Sequence, residues 1–342
     1  PSREGGPIFK IFAKGSYDDD IISRLLLAAY PDRLAQRRTT EGDSYLLVNG
    51  RGARLSCRSA VRNAGFIIAV SLDGGSQAEA FIHLASEISE DIIREERSRH
   101  IIIDSTVSWS EREARVIAVR RESIGAIQFS AEPFLPEDEV VLPVVLEAVR
   151  ASALKLLNLD DRLLQFQGRM ALVRSVFPGS GWPDISNEGL LDTLEDWLAP
   201  HLRGIRNAGK LGQLDIAGLL KQRFDYRQQH DFDEMAPTHL VVPSGSKVRL
   251  DYSGAAPVLA VKLQELFGLA EGPAVCQGRV AVLLHLLSPA GRPIQVTKDL
   301  KGFWNGSYHQ VKKELKGRYP KHPWPDDPWS AVPTKRVKPK GV

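Results

Sequence analysis

Two cysteines in 342 residues, Cys57 and Cys276, are too few and too far apart for a disulfide framework or a four-cysteine zinc site. A reduced, cytoplasmic chain is the expectation. No run approaches the roughly 18 consecutive apolar residues that a membrane-spanning helix needs. The opening PSREGGPIFK has neither an apolar core nor a small-residue cleavage site, so it does not read as a signal peptide. Methionine is nearly missing too: Met170 and Met235 are the only two, and the chain opens on Pro1. That is expected of a piece of a longer protein. The hydrophobic fraction of 43% and charged fraction of 25% are those of an ordinary folded protein. The length suggests about two to four folded units.

Charge is small in total and uneven in place. Residues 291–342 hold twelve Lys and Arg against four Asp and Glu, a net of +8. The whole chain is +3, so the other 290 residues carry −5. Clustered positive charge is the usual footprint of a polyanion partner.

Patterning divides the chain. Residues 20–30 read as a short helix, apolar nearly all round, that ends ahead of Pro31 and needs a partner surface. From 44 to 134 the signals are for short strands: 45–48, 66–72, 80–84, 100–104, 114–119 and 126–129, separated by turns such as Asn49-Gly50 and Asp73-Gly74-Gly75. A small sheet or barrel is expected there. Residues 136–229 are helical in pattern, with apolar faces at 140–157, 160–176, 190–198 and 214–224 that imply a bundle. Two hairpins follow, 238–242 with 247–252 and 280–287 with 294–297, with a helical turn at 263–269 between them.

The most informative stretch is DLKGFWNGSYHQVKKELKGRYPKHPWPDDP, residues 299–328. Trp304, Tyr308, Val311 and Leu315 recur at helical spacing. Asp299 is placed to cap the start, and Gly317 is expected to stop the helix. Lys312, Lys313 and Lys316 fall off the Trp304 face in this reading. Three prolines in the next residues then forbid helix and favour an extended path. That path carries Arg318, Tyr319, Lys321, His322 and Trp324. Basic side chains interleaved with rings are what a single-stranded nucleic acid uses, with bases stacked on rings and phosphates on cations. The competing reading makes Trp304, Tyr308 and Trp324 core residues.

The string F-W-x-x-x-Y-x-x-V-x-K-E-x-x-G-R-Y-P-K-H-P-W-P-x-D-P closely resembles the end of the HrpB family of bacterial DEAH-box ATP-dependent helicases. Pro237-Thr238-His239, residues 243–246, Leu250-Asp251-Tyr252, 263–269 and 284–293 fit the family in the same order, as do residues 28–38 near the start. The resemblance implies an α+β, multidomain chain. Its segments would be the end of a helicase-associated helical bundle (1–42), an OB-like small β-barrel (43–135), a helical segment (136–232), a C-terminal α+β domain with β-hairpins and a closing helix (233–332), and a basic disordered tail (333–342). It places the OB-like domain beside the RNA path, which makes Arg51, Arg54, Arg120 and Arg121 candidate phosphate contacts. The motor that handles ATP and Mg²⁺ would lie ahead of this region.

Catalytic motifs are missing or fail on chemistry. Residues 204–210 fit G-x-x-x-x-G-K, but Leu211 stands where a P-loop needs the hydroxyl that holds Mg²⁺. No D-E-x-H run and no G-x-S-x-G elbow occur, and His322 with Asp326 and Asp327 lacks further ligands for a metal. The expectation is therefore an accessory region of an ATP-dependent RNA helicase, inactive alone, with RNA and the motor domains in cis as partners. The alternative is a protein-interaction module that uses Trp324 and Trp329 as anchors. A free-standing enzyme finds no support.

Overall fold

The computed structural model describes residues 17–39, 42–61, 63–73 and 79–336. The chain divides into two units. One holds Pro1–Ser110 with Val116–Val140, the other Glu111–Arg115 with Val141–Val342.

In the first unit, α1 (Tyr17–Ala29) ends ahead of Pro31, as its sequence requires. Five strands follow: β1 (Leu34–Arg37), β2 (Ser44–Leu47), β3 (Gly52–Leu55), β4 (Phe66–Leu72) and β5 (Glu79–Glu87). They close into a barrel in the order β1-β2-β3-β5-β4, with β3 parallel to β5 and every other pair antiparallel. Strand alternation builds two cores from one set of strands. Ala35, Tyr45, Leu47, Ala53, Leu55, Ile67, Ala69, Ala80 and Ile82 fill the barrel. Their neighbours Leu34 and Ile68 face outward, into a second cluster with Leu27, Ile92, Ile93, Ile124 and Ile127.

That outer cluster is supplied by α1, by α2 (Glu90–Arg97) and by a three-stranded sheet of β6 (Ile102–Ser110), β7 (Arg115–Ile124) and β8 (Ile127–Pro133). Ser89 caps α2 through the Ile92 N–H. The β7–β8 turn is pinned to the barrel where the Ala126 N–H donates to the Val48 carbonyl at 2.8 Å. Gly125 sits there with φ +55°, and a Cβ on it would lie 2.2 Å from that same oxygen. On α1, Ile21, Ile22 and Leu25 remain exposed.

Two features depart from the sequence expectation. The barrel closes through Leu34–Arg37, in a stretch expected to be the tail of a helical bundle, and β6–β8 form a sheet outside the barrel.

The second unit begins with short helices: α3 (Asp138–Ala151), α4 (Asp161–Val176), α5 (Asn187–Asp192), α6 (Leu194–Trp197), α7 (Ala208–Leu211), α8 (Ile216–Lys221) and α9 (Tyr226–Met235). Asp160, Ser186, Asn207, Asp215 and Asp225 each cap the following helix through a side-chain oxygen. Phe166, Phe224, Phe232 and Trp182 pack tilted or edge to face beneath them. Gly168 lets α4 approach the next layer: a Cβ there would lie 2.0 Å from the Tyr252 carbonyl oxygen.

That layer is a five-stranded sheet in the order β15-β14-β11-β10-β9. Its members are β9 (His239–Val241), β10 (Lys247–Asp251), β11 (Val258–Lys262), β14 (Leu283–Leu287) and β15 (Pro293–Thr297), and β12 (Ala274–Val275) with β13 (Val280–Ala281) forms a separate ribbon. Both hairpins expected from sequence are present, β9–β10 and β14–β15, and the parallel β11–β14 pair joins them through β10.

Candidate nucleic-acid interface

Asp299 caps α10 (Leu300–Asn305) by accepting the Gly302 N–H at 2.8 Å. The expected single helix then breaks at Gly306 (φ −113°, ψ −90°) and resumes as α11 (Tyr308–Arg318). Gly306 supplies the break because glycine has little helix propensity. Gly317, expected to stop the helix, lies inside it. The end comes at Tyr319, because the residue before a proline is pushed out of helical geometry.

The break lets Trp304 and Tyr308 enter one core. With Phe267 and Phe303 they form a cluster of rings 5.2–6.3 Å apart. Trp304 Nε1 donates to the Leu269 carbonyl at 2.9 Å, and the Tyr308 hydroxyl donates to the Pro325 carbonyl at 2.8 Å. Burial raises the Tyr308 phenol well above its usual range. The Pro-rich return is held at several points. Gly268 N–H donates to the Pro328 carbonyl and Thr334 N–H to that of Gln264. The expected disordered tail is thus tied down as far as Thr334, and its residues 337–342 lie outside the described residues.

This packing corrects part of the sequence reading. Trp324 is only 7% exposed, and its Nε1 donates to the Tyr319 carbonyl at 3.0 Å, so its ring has no face for a base. Lys312 is held by Asp326 with 12% of its side chain exposed. It lies four residues after Tyr308, at the seam of the buried face rather than away from it. His322 is half-buried, and burial followed by the charge of Lys262 lowers its pKa, so it is a poor cation near neutrality. Tyr319 is half-buried, edge-on to His322 at 6.3 Å. What remains open to solvent is charge: Lys313, Lys316, Arg318 and Lys321.

In the first unit Arg54 is exposed on β3. Arg120 is also exposed and lies over the Phe134 ring at 5.2 Å, and Arg121 donates to Thr106 Oγ1 at 3.2 Å. Arg51 is half-buried. Sequence reasoning missed two rings beside Arg54: Phe81, 37% exposed, and His83, edge to face at 5.1 Å. Their odd positions in a strand whose even positions, Ala80 and Ile82, point inward were the available signal.

The P-loop lookalike has a different geometry. It follows a turn of helix (Ala199–His201) rather than a strand, and α7 has four residues. Lys210 Nζ donates to the Gly204 carbonyl at 3.3 Å, which commits the ammonium to the loop itself. A cleft of about 600 Å³ in the second unit is lined by Arg162, Arg169, Lys221, Arg249 and Tyr252 among others. Its guanidinium groups are taken up by carboxylates: Arg162 by Asp160 and Asp215, Arg249 by Asp161, and Arg169 by Asp233. Among the described residues no group of three or more His, Cys, Asp or Glu is placed to hold a metal, and no helix is long and apolar enough to cross a membrane.

Residues 197–328 match the HrpB-type family of ATP-dependent helicase C-terminal domains. The ATP-dependent RNA helicase HrpB of Escherichia coli (strain K12) is 38% identical over 327 residues, which are 95% of this chain and 40% of that protein. The chain is a C-terminal region of the HrpB type. Two crystal structures agree. The E. coli DExH-box NTPase HrpB superposes with a TM-score of 0.59 at 37% identity, over 93% of this chain and 40% of that one. The E. coli DEAH/RHA helicase HrpB gives 0.52 at 34% identity, over 89% and 38%. The chain thus spans about two fifths of the HrpB proteins it matches, and its mixed α+β architecture with a closed barrel is shared with them.

Proposed function

We propose that this chain is the accessory region of a bacterial, cytoplasmic ATP-dependent RNA helicase, and that it holds single-stranded RNA in register for a motor in the same protein. The carrying observation is the 38% identity along 95% of the chain to a protein named as an ATP-dependent RNA helicase. In this reading ATP and Mg²⁺ belong to the motor, and the barrel is OB-like. Its strand order, with β3 parallel to β5, supports that assignment. The motor side is met by the exposed Ile21, Ile22 and Leu25 of α1.

RNA contact falls to unburied cations: Lys313, Lys316, Arg318 and Lys321 in one unit and Arg54 in the other. Contacts to phosphate set position and register without reading sequence, which suits an accessory surface that must pass many sequences. The interaction-module alternative loses Trp324 as an anchor, since that ring is buried.

The test is binding of a short fluorescent oligouridylate to the chain at low salt without ATP, followed as salt rises. Weak binding with a steep loss in salt is expected. No binding at low salt overturns the RNA reading. ATP turnover by this chain that is lost on Lys210→Ala overturns the assignment of ATP to the motor.

A further inference from the structure

Strand β5 leaves the barrel interior at every second residue. Ala80 and Ile82 are 1% and 0% exposed inside it, so Phe81 and His83 must stand outside. Phe81 lies 37% exposed, with the His83 ring edge-on to it at 5.1 Å and 62°. Directly across the parallel ladder, Arg54 pairs in register with Phe81. Arg54 is exposed, and its guanidinium makes no hydrogen bond or ion pair among the described residues. Arg58, in the turn three residues beyond that strand, is exposed likewise. The nearby carboxylates are engaged elsewhere: Asp73 accepts the Phe81 N–H at 2.8 Å, and Glu79 faces Arg38 at 3.8 Å.

An exposed ring is poorly hydrated and gains from being covered by a flat apolar surface. An uncommitted guanidinium one strand away, about 5 Å across the ladder, gains from a phosphate. The two needs are met together by an unpaired nucleotide, whose base and phosphate lie about that far apart. A buried protein segment would satisfy the ring and leave Arg54 to be desolvated without a partner.

We infer that the outer face of β3 and β5 is a base-stacking site for single-stranded RNA, with Phe81 and His83 as the platform and Arg54 as the phosphate contact. The inference rests on the RNA reading above and names one place where it acts.

Its test uses the same oligouridylate titration on the whole chain. Phe81→Ala is expected to weaken binding about five- to hundredfold at every salt concentration, the worth of one stacked base, with the salt slope unchanged. Phe81→Trp should bind at least as well as the unaltered chain. Arg54→Ala should instead flatten the slope of log K against log salt by about 0.7, one phosphate's share on a single strand. Because the Arg54 side chain is exposed and makes no hydrogen bond or ion pair among the described residues, that variant stays informative even if Phe81→Ala folds badly. Unaltered binding in folded Phe81→Ala, or an unchanged slope in Arg54→Ala, overturns the site while the RNA reading stands. Failure of the unaltered chain to bind overturns both.

Discussion

In the second unit Trp304, Tyr308 and Trp324 point inward, and each gives its polar edge to a backbone carbonyl. In the first unit Phe81 and His83 stand on the outside of a barrel next to an arginine that has no ion pair among the described residues. Similar residue types thus serve opposite ends. The difference comes from their surroundings in the chain. The C-terminal rings lie on a broken helix and a Pro-rich return that must close on something, and large rings close it best. The barrel rings lie on a strand whose interior is already filled by Ala80 and Ile82. A basic-aromatic string in sequence is therefore ambiguous between a core with a charged rim and a stacking surface. Burial separates the two.

The sharpest way to break this comparison is to remove a ring from each side. Trp304→Ala and Trp324→Ala should each cost about 3–5 kcal/mol, as a large cavity in a packed core does. For a unit of this size that lowers the melting temperature by roughly 6–20 °C. RNA affinity of the chain that stays folded should be unchanged. Phe81→Ala should do the reverse, moving stability by no more than about 0.5 kcal/mol. A Trp324→Ala variant that melts normally but binds RNA weakly would return that ring to the surface.

Each unit also has a glycine that sets a close approach. Gly125→Ala would drive a Cβ against the Val48 carbonyl at a positive φ, and Gly168→Ala against that of Tyr252. About 1–3 kcal/mol is expected from either, because backbone must move. Differential hydrogen exchange should place the Gly125 effect in β7, β8 and the barrel, and the Gly168 effect in α4 and β10. Exchange that is unperturbed in those elements would show that the approaches are looser than the structure has them.

How much of this was legible in the sequence depends on how many residues carried each signal. β4 was read to its ends because the mostly apolar run FIIAVSL stops at Asp73. β1 was missed because four residues, ending in Arg37, hold too little alternation to tell a strand from a helix tail. The hairpins β9–β10 and β14–β15 were found from their turn residues, but the parallel pairing of β11 with β14 is non-local and leaves no mark. At the candidate interface the cations were legible as charge. Their availability was not, since Lys312 and Lys313 look alike until the buried face of α11 is known.

A smaller effect should appear with acid. Hydrogen bonds from Ser186, side chain first and then backbone, and the pairing with Arg174 lower the Asp184 pKa from 3.8 to about 2. A depressed carboxylate stabilises the fold above its unfolded pKa and loses that contribution as pH falls through the folded one. The loss should therefore run from about pH 4 to pH 2. Asp184 is 45% exposed, so solvent screening keeps it below about 1 kcal/mol. Asp184→Asn should remove that part of the acid dependence of the second unit, and an unchanged dependence would assign it to other carboxylates.

The finest test compares lysines that are neighbours in sequence. Lys312 is paired with Asp326, whose own pKa is lowered chiefly by that bond, so the two charges largely cancel as seen by an approaching phosphate. Lys313 and Lys316 are exposed on the same helix with no ion pair among the described residues. Counterion release counts phosphates that are neutralised, not lysines that are present. Lys313→Ala and Lys316→Ala should each flatten the slope of log K against log salt by about 0.7, and Lys312→Ala should leave it nearly unchanged. Lys313→Ala and Lys316→Ala should also melt close to the unaltered chain, because both side chains are exposed. Equal slopes for Lys312→Ala and Lys313→Ala would mean that Asp326 releases its lysine when RNA arrives. No change in any of the three would move RNA off the C-terminal helix and leave the barrel face to carry it.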